Sequence, residues 1–120
     1  MSKLSKDDYV WRGKKALELL CTESAWFTER LAACHDEGYS GDEDLGGRFL
    51  MVFSDGDAEA SEFNVAYKTV GTDKEIWEEC SELVYGEWYI HSLFDLEAQQ
   101  KLALAEFSCA IVPAEKVELA

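Results

Sequence analysis

The sequence predicts an α+β domain, because helical and strand-like patterns follow one another along a chain of 120 residues. Three observations lead to this fold class. Apolar residues recur at three- and four-residue steps in the first third of the chain. Two short strand-like runs follow, and two further stretches then begin with helix-capping patterns. A chain of this length is typical of a single domain, which we expect to span residues 1–120.

The N-terminal third predicts one helix or a pair of helices. Ser5 and Asp8 form an S-x-x-D start signal, and apolar residues follow at helical spacing as far as Cys34. Thr22 and Ser24 interrupt this stripe, and hydroxyl residues are good N-caps. We therefore expect two helices, or one kinked helix, over residues 6–36.

The middle of the chain predicts an antiparallel β-hairpin. RFLMVF, residues 48–53, is a continuous apolar run of the kind found in buried strands. EFNVAYKTV, residues 62–70, alternates apolar and polar residues, which indicates a half-buried strand. EWYIH, residues 87–91, predicts a third strand or an extended connection.

Two further helices are predicted to pack on this sheet. Thr72 and Glu75 form a capping box that opens a helix ending near Gly86. SLFDLEAQQKLALAEF, residues 92–107, begins with another S-x-x-D and is rich in helix formers. Residues 107–112 fit either a helix or an edge strand, and residues 114–120 predict a loose tail.

Acidic residues dominate the chain, whose formal net charge is −14. The excess lies in the middle, because residues 36–106 hold eighteen Asp and Glu against four Lys and Arg. Such a charge repels nucleic acid and anionic membranes, and it speeds encounter with basic protein surfaces. We therefore expect a basic protein as the partner, with no direct binding to nucleic acid or to a membrane.

Four glutamates of the helix after Thr72 crowd onto one face, within an arc of about 100° on a helical wheel. Like charges at this spacing oppose helix formation by a few tenths of a kcal/mol per pair, so folding alone does not explain them. Two acidic loops, GDEDLGG and SDGDAEAS, would extend this face into one anionic patch if all three segments converge. The predicted partner-binding residues are Glu75, Glu78, Glu79, Glu82, Asp42, Glu43, Asp44, Asp55, Asp57 and Glu59, with Trp88 as an aromatic anchor.

A dense anionic patch resembles a nucleic-acid backbone electrostatically. We therefore expect a small acidic binding protein that docks on a basic surface and blocks it, the blocked site being one that binds nucleic acid or cleaves it. Phage inhibitors of CRISPR or restriction systems (anti-CRISPR and anti-restriction proteins) and immunity proteins of nuclease toxins share this composition. Solubility is the competing explanation of an acidic face.

Two other functions remain open on the sequence. An enzyme or ligand-binding domain would use a cleft near His91, Trp88 and Tyr89. A structural or assembly protein would form a homodimer through its N-terminal helices, where Trp11 and Trp26 lie off the main apolar stripe. We expect the binding protein rather than an enzyme, because the carboxylates fall in loops and on a helix face, as solvated surface residues do.

Metal and cofactor motifs fail on inspection. DGDAEASEFNVA begins like a calcium loop, but Ala60 and Ala66 stand where glycine and a bidentate acid are required. The four cysteines show no C-x-x-C spacing, which argues against a zinc site and for buried, reduced thiols. We therefore predict no metal and no cofactor.

A cysteine nucleophile paired with His91 is conceivable, with Cys34, Cys80 or Cys109 in that role, but no local signature surrounds these residues. No apolar run reaches the roughly 20 residues of a membrane span. No apolar stretch follows the N-terminal lysines as in a signal peptide. A cytoplasmic location is expected.

Overall fold

The computed structural model describes residues 4–55, 64–86, 88–104 and 111–120, and it shows an α+β fold. The helices are α1 (Lys6–Glu23), α2 (Ala25–Asp36) and α3 (Asp73–Tyr85), with a short 3₁₀ turn, η1, at Asp42–Asp44. The strands are β1 (Phe49–Ser54), β2 (Val65–Val70), β3 (Tyr89–Asp95), β4 (Gln100–Leu104) and β5 (Ile111–Lys116).

The five strands form one sheet in the order β2-β1-β3-β4-β5, and every pairing is antiparallel. β1 lies inside the sheet, and all six of its residues are buried. Its side chains alternate between two cores. Leu50 and Val52 face α1 and α2, whereas Met51 and Phe53 belong to the core beneath α3. The sheet is therefore covered by α1 and α2 on one side and by α3 on the other.

The predicted helix pair is confirmed, and Ser24 explains why two helices form. Its backbone is extended, and its N–H donates to the carbonyl of Leu20 at the end of α1. Its hydroxyl accepts from the amide of Phe27 at 3.1 Å and so caps α2. One residue thus ends the first helix and starts the second.

Replacing Ser24 with alanine is expected to lower the free energy of unfolding by about 1 kcal/mol, because α2 loses its N-cap. Urea denaturation followed by circular dichroism measures the change. Ser81→Ala is the matched control, since Ser81 is an exposed position within α3. A Ser24→Ala loss no larger than that of the control would contradict the capping role.

The predicted hairpin is confirmed as β1 and β2, and the predicted third strand as β3. The predicted helix over residues 92–107 is wrong over 92–104, the part of it that the structure describes. Ser92–Asp95 completes β3, and residues 100–104 form β4, so α3 is the one further helix found in the described ranges. Leu93 and Phe94 bury their side chains on opposite faces of the sheet, as neighbours in a strand do.

Asp95 has the opposite role to the one that its spacing from Ser92 predicts. Instead of opening a helix, its Oδ1 accepts from the amides of Glu97 and Ala98, both at 3.1 Å. This side-chain turn reverses the chain between β3 and β4. Gln99 completes the reversal with a positive φ of 53°. Helix propensity is a weak preference, and pairing within the sheet overrides it here.

The C-terminal segment is also more ordered than the predicted loose tail. Ile111–Lys116 is an edge strand, so residues 111 and 112 follow the strand alternative predicted for 107–112, and residues 107–110 lie outside the described residues. Leu119 is 1% exposed in the α1–α2 core, and its amide donates to the side chain of Gln99 at 2.9 Å.

Within the described ranges, none of the helices combines the length and the apolar character that crossing a membrane requires.

Candidate functional site

The predicted acidic helix is α3, which begins after Thr72 as the capping box predicts and ends before Gly86 as expected. The hydroxyl of Thr72 accepts from the amide of Glu75 at 3.2 Å, and Gly86 follows the last turn. Ile76 and Cys80 are buried against the sheet, with the Cys80 thiol 3.9 Å from the sulfur of Met51. The opposite face of α3 is left to solvent.

Three of the four glutamates of α3 are exposed on this outer face: Glu75, Glu78 and Glu82. Among the described residues, Lys74 is the one basic residue whose side chain lies within 4 Å of these glutamates. Its Nζ is 3.8 Å from a carboxylate oxygen of Glu78. Both partners of that pair are more than half exposed, so it contributes little to stability. We call these three residues the α3 acidic face.

Glu79 stands apart from the α3 acidic face. It points to the sheet, where Lys68 of β2 forms a short salt bridge with it, and both side chains are largely covered. Its charge is therefore compensated within the fold. Nothing in the order of residues signals this pair, because it depends on how α3 crosses β2.

The acids of η1 lie on the other side of the sheet. Ser40 binds the backbone of Tyr67 at the outer edge of β2, and Leu45 enters the α1–α2 core. Asp42 forms a salt bridge with Lys14 of α1 at 3.0 Å. Asp44 accepts from the amide of Gly41 at 2.8 Å.

Glu43 is the third acid of η1, and its side chain is exposed. Since η1 packs with α1 and α3 covers the opposite face of the sheet, the two acidic segments form separate groups. The structure does not bring them together into the single patch that the sequence suggested.

Of the predicted acidic residues between β1 and β2, the structure describes Asp55. Oδ1 of Asp55 accepts from the backbone amide of Asn64 at 2.7 Å, and Oδ2 accepts from the side-chain amide of Asn64 at 3.2 Å. These hydrogen bonds join the chain just after β1 to the chain just before β2. Asp57 and Glu59 lie outside the described residues. The carboxylate of Asp55 therefore has a local structural role.

The exposed aromatic residue after α3 is Tyr89 rather than Trp88. Trp88 is half-buried and packs edge-on against Phe53, with ring centroids 5.4 Å apart. Tyr89 is 59% exposed. Two neighbours in an extended segment point to opposite faces, and the pattern alone does not say which one is covered.

α3 carries exposed apolar residues beside its buried ones. Trp77 is 44% exposed and Val84 is 55% exposed, and Tyr85 at the end of the helix is 93% exposed. On a helical wheel Trp77 lies about 60° and Val84 about 40° from the buried Cys80, both on the same side, at the border of the apolar arc. This border position is the feature of the sequence that could have indicated their exposure.

The structure does not build the alternative cleft around His91, Trp88 and Tyr89. The ring of His91 stacks on Trp26 and Phe27 of α2, with centroids 6.1 and 5.1 Å away. Trp88 packs on the opposite side of the sheet. The side chains of His91 and Trp88 therefore face different cores.

Two of the three candidate cysteine nucleophiles are buried thiols. Burial raises the pKa of Cys80 to about 11 and also raises the pKa of Cys34. Both remain protonated at neutral pH, and the thiolate is the nucleophilic form. Cys109 lies outside the described residues. Within the described ranges, no cluster of three or more His, Cys, Asp or Glu side chains has metal-binding geometry.

Two cavities lie on opposite sides of the sheet. One, of about 240 Å³, opens between α1 and α2, where His35 Nε2 lies 2.8 Å from the hydroxyl of Tyr67. Burial raises the pKa of Tyr67, so this hydroxyl stays protonated. The other, of about 270 Å³, lies between α3 and the strands β4 and β5. Trp77 lines this second cavity from the α3 side.

No family model, curated protein or solved structure matches this chain. Its function is therefore argued from its own residues.

Proposed function

We propose that this chain is a small acidic binding protein that docks on a basic protein surface through the α3 acidic face. The observation that supports the proposal is the exposure of Glu75, Glu78 and Glu82 on one helix face, with Lys74 as the neighbouring base. Three carboxylates with one neighbouring lysine leave this helix face with a net negative charge, which creates a local negative potential that attracts cationic surfaces.

The fold gives a structural reason for several acidic residues, but not for most of the α3 acidic face. Glu79 contributes to packing through Lys68, and Asp42, Asp44 and Asp55 each have a local structural role. The α3 acidic face has no comparable role apart from Glu75, which exchanges hydrogen bonds with the cap residue Thr72. Its like-charge spacing slightly destabilises α3. A docking function offers a reason to keep it.

The class of partner that fits this charge is a protein with a nucleic-acid-binding or nuclease site. Such sites present Lys and Arg to a phosphate backbone, and a row of carboxylates competes for the same side chains. A phage inhibitor of CRISPR or restriction systems, or an immunity protein of a nuclease toxin, would act in this way. In either case the chain would work in the cytoplasm and without catalysis of its own.

Differential capture tests the proposal. The tagged chain is compared with an α3-neutral variant, Glu75→Gln/Glu78→Gln/Glu82→Gln, and with an α2-neutral control. That control, Glu29→Gln/Asp36→Asn/Glu37→Gln, removes the same charge from exposed positions at α2. We expect a basic protein in the wild-type and control captures that is lost from the α3-neutral capture. Equal loss from both variants would indicate that only net charge matters, which would contradict the proposal.

A further inference from the structure

We propose that the groove between α3 and the strands β4 and β5 receives an amphipathic, Lys- and Arg-rich helix of the partner. This inference rests on the proposed function and adds an apolar anchor to the docking surface. In it the α3 acidic face binds the basic flank of the partner helix, and the groove binds its apolar stripe.

The sheet is covered unequally on the α3 side. α3 packs on β1 and β3, where Ile76 and Cys80 meet Met51 and Leu93. Over β4 and β5 on this face, the described ranges contain no helix. Two strands span about 10 Å, which matches the width of one helix. One further helix beside α3 would complete the layer.

The groove has an apolar wall on each side. Trp77, 44% exposed, lines it from α3 together with Ile76. Val84, 55% exposed, follows two turns later on the same side of the helix and extends this wall beyond the cavity. Leu102, Ile111 and Pro113 form the opposite wall, the first two half-buried and the third exposed. The cavity beside Trp77, of about 270 Å³, is below the roughly 300 Å³ typical of small-molecule sites. It suits an inserted side chain rather than a free ligand.

The charges around the groove select a cationic occupant. Asp73 lines the cavity, and Glu78 and Glu82 follow on the outer face of α3. Arg48 also lines it, but its guanidinium is held by Asp95 at 2.9 and 3.0 Å and by Glu97 at 3.1 Å. Lys74, which lies beside Glu78, is outnumbered by Asp73, Glu78 and Glu82, so the net charge that α3 presents to an incoming helix is negative.

A second copy of the chain is a poor occupant for the same reason. Each copy has a net charge of −14, and pairing two such faces would bring the acidic faces of both helices together. Like charges at contact distance oppose association. A basic helix from another protein has the complementary charge.

A synthetic amphipathic helix of Leu and Lys, about 18 residues long, serves as the probe, with a scrambled peptide of equal composition as its control. Binding to the ¹⁵N-labelled full chain is followed by amide chemical shifts. We expect the amphipathic peptide to shift residues of α3, β4 and β5, leaving α1 and α2 unchanged. The scrambled peptide, which has the charge but no apolar stripe, should bind about tenfold more weakly.

Trp77→Ala is expected to weaken binding of the amphipathic peptide by about tenfold, and Val84→Gln by a similar factor. Trp11→Ala is the matched control, because Trp11 is 56% exposed on α1, away from the groove. Val84→Gln also guards against a folding defect in Trp77→Ala, and amide shift dispersion confirms that each variant is folded. Wild-type affinity in both groove variants, or equal binding of the scrambled peptide, would overturn the inference.

Two further outcomes separate the possible failures. If Glu78→Gln/Glu82→Gln weakens binding of both peptides while Trp77→Ala changes neither, the acidic docking surface stands and the groove inference fails. If the groove variants weaken binding but the glutamine variants do not, the proposed function fails instead.

A wild-type dimer whose mass falls to that of a monomer in Trp77→Ala would identify a second copy as the occupant and overturn the inference.

Discussion

Replacing Asp95 with alanine is expected to lower the free energy of unfolding by about 3 kcal/mol. The carboxylate of Asp95, 9% exposed, accepts two hydrogen bonds from Arg48, at 3.0 and 2.9 Å. It also accepts from the amides of Glu97 and Ala98 in the turn between β3 and β4. Its removal leaves four donors without their acceptor, and urea denaturation at neutral pH measures the loss.

Glu97→Ala is the matched control for Asp95→Ala. Glu97 binds the same guanidinium at 3.1 Å, but its side chain is 43% exposed. An exposed pair of this kind contributes about 0.5 kcal/mol. Equal losses in the two variants would show that burial and the turn hydrogen bonds of Asp95 do not matter.

The contribution of Asp95 should also depend on pH. Burial opposes its ionisation, but the hydrogen bonds from Arg48 and Ala98 outweigh that effect and hold the pKa of Asp95 below its ordinary value of 3.8. A group with a lowered pKa in the folded state stabilises the fold above the pKa of the unfolded state. We therefore expect the stability difference between wild type and Asp95→Ala to be constant above about pH 5 and to shrink as the pH falls through the folded-state pKa.

Reversing two charges on α3 should separate stability from binding. In Glu78→Lys/Glu82→Lys, the new lysines attract Glu75 and Glu79, although they repel each other and Lys74, and lysine near the C-terminal end of a helix is favourable. We expect the free energy of unfolding to stay the same or to rise by a few tenths of a kcal/mol. Affinity for the basic partner found by differential capture should fall by about 100-fold, because two attractive contacts become repulsive.

Calorimetry or surface plasmon resonance measures this affinity, and thermal unfolding monitors the fold. The control places the same two lysines on α2, as Glu29→Lys/Asp36→Lys, at exposed positions. A much smaller loss of affinity is expected there. If both variants bind equally, the net charge of the chain governs association, and α3 has no special part in it.

The local elements of the fold are predictable wherever a short-range signal determines them. Ser24 and Thr72 cap helices as their spacing predicts, and both are seen to bind the expected amides. The failure at residues 92–107 has a clear physical cause. Asp95 can cap a helix or close a turn, and which one it does depends on Arg48 and on the pairing of β3 with β1. Those contacts lie more than 40 residues away along the chain.

The candidate site shows the same division between local and tertiary signals. That Glu75, Glu78 and Glu82 share one exposed face follows from helical periodicity alone. That Glu79 is bound by Lys68, and that η1 packs on the other side of the sheet, depends on how the helices cross the strands. The groove beside Trp77 is of the latter kind, since its walls come from α3 and from the C-terminal strands.

The salt dependence of partner binding is the most direct test of acidic docking through α3. Dissociation constants are measured between about 50 and about 500 mM NaCl for the wild-type chain, the α3-neutral variant and the α2-neutral control. We expect binding to weaken steeply with salt for the wild type and the control, and with a shallower slope for the α3-neutral variant. A wild-type affinity that does not change with salt, or three equal slopes, would contradict it.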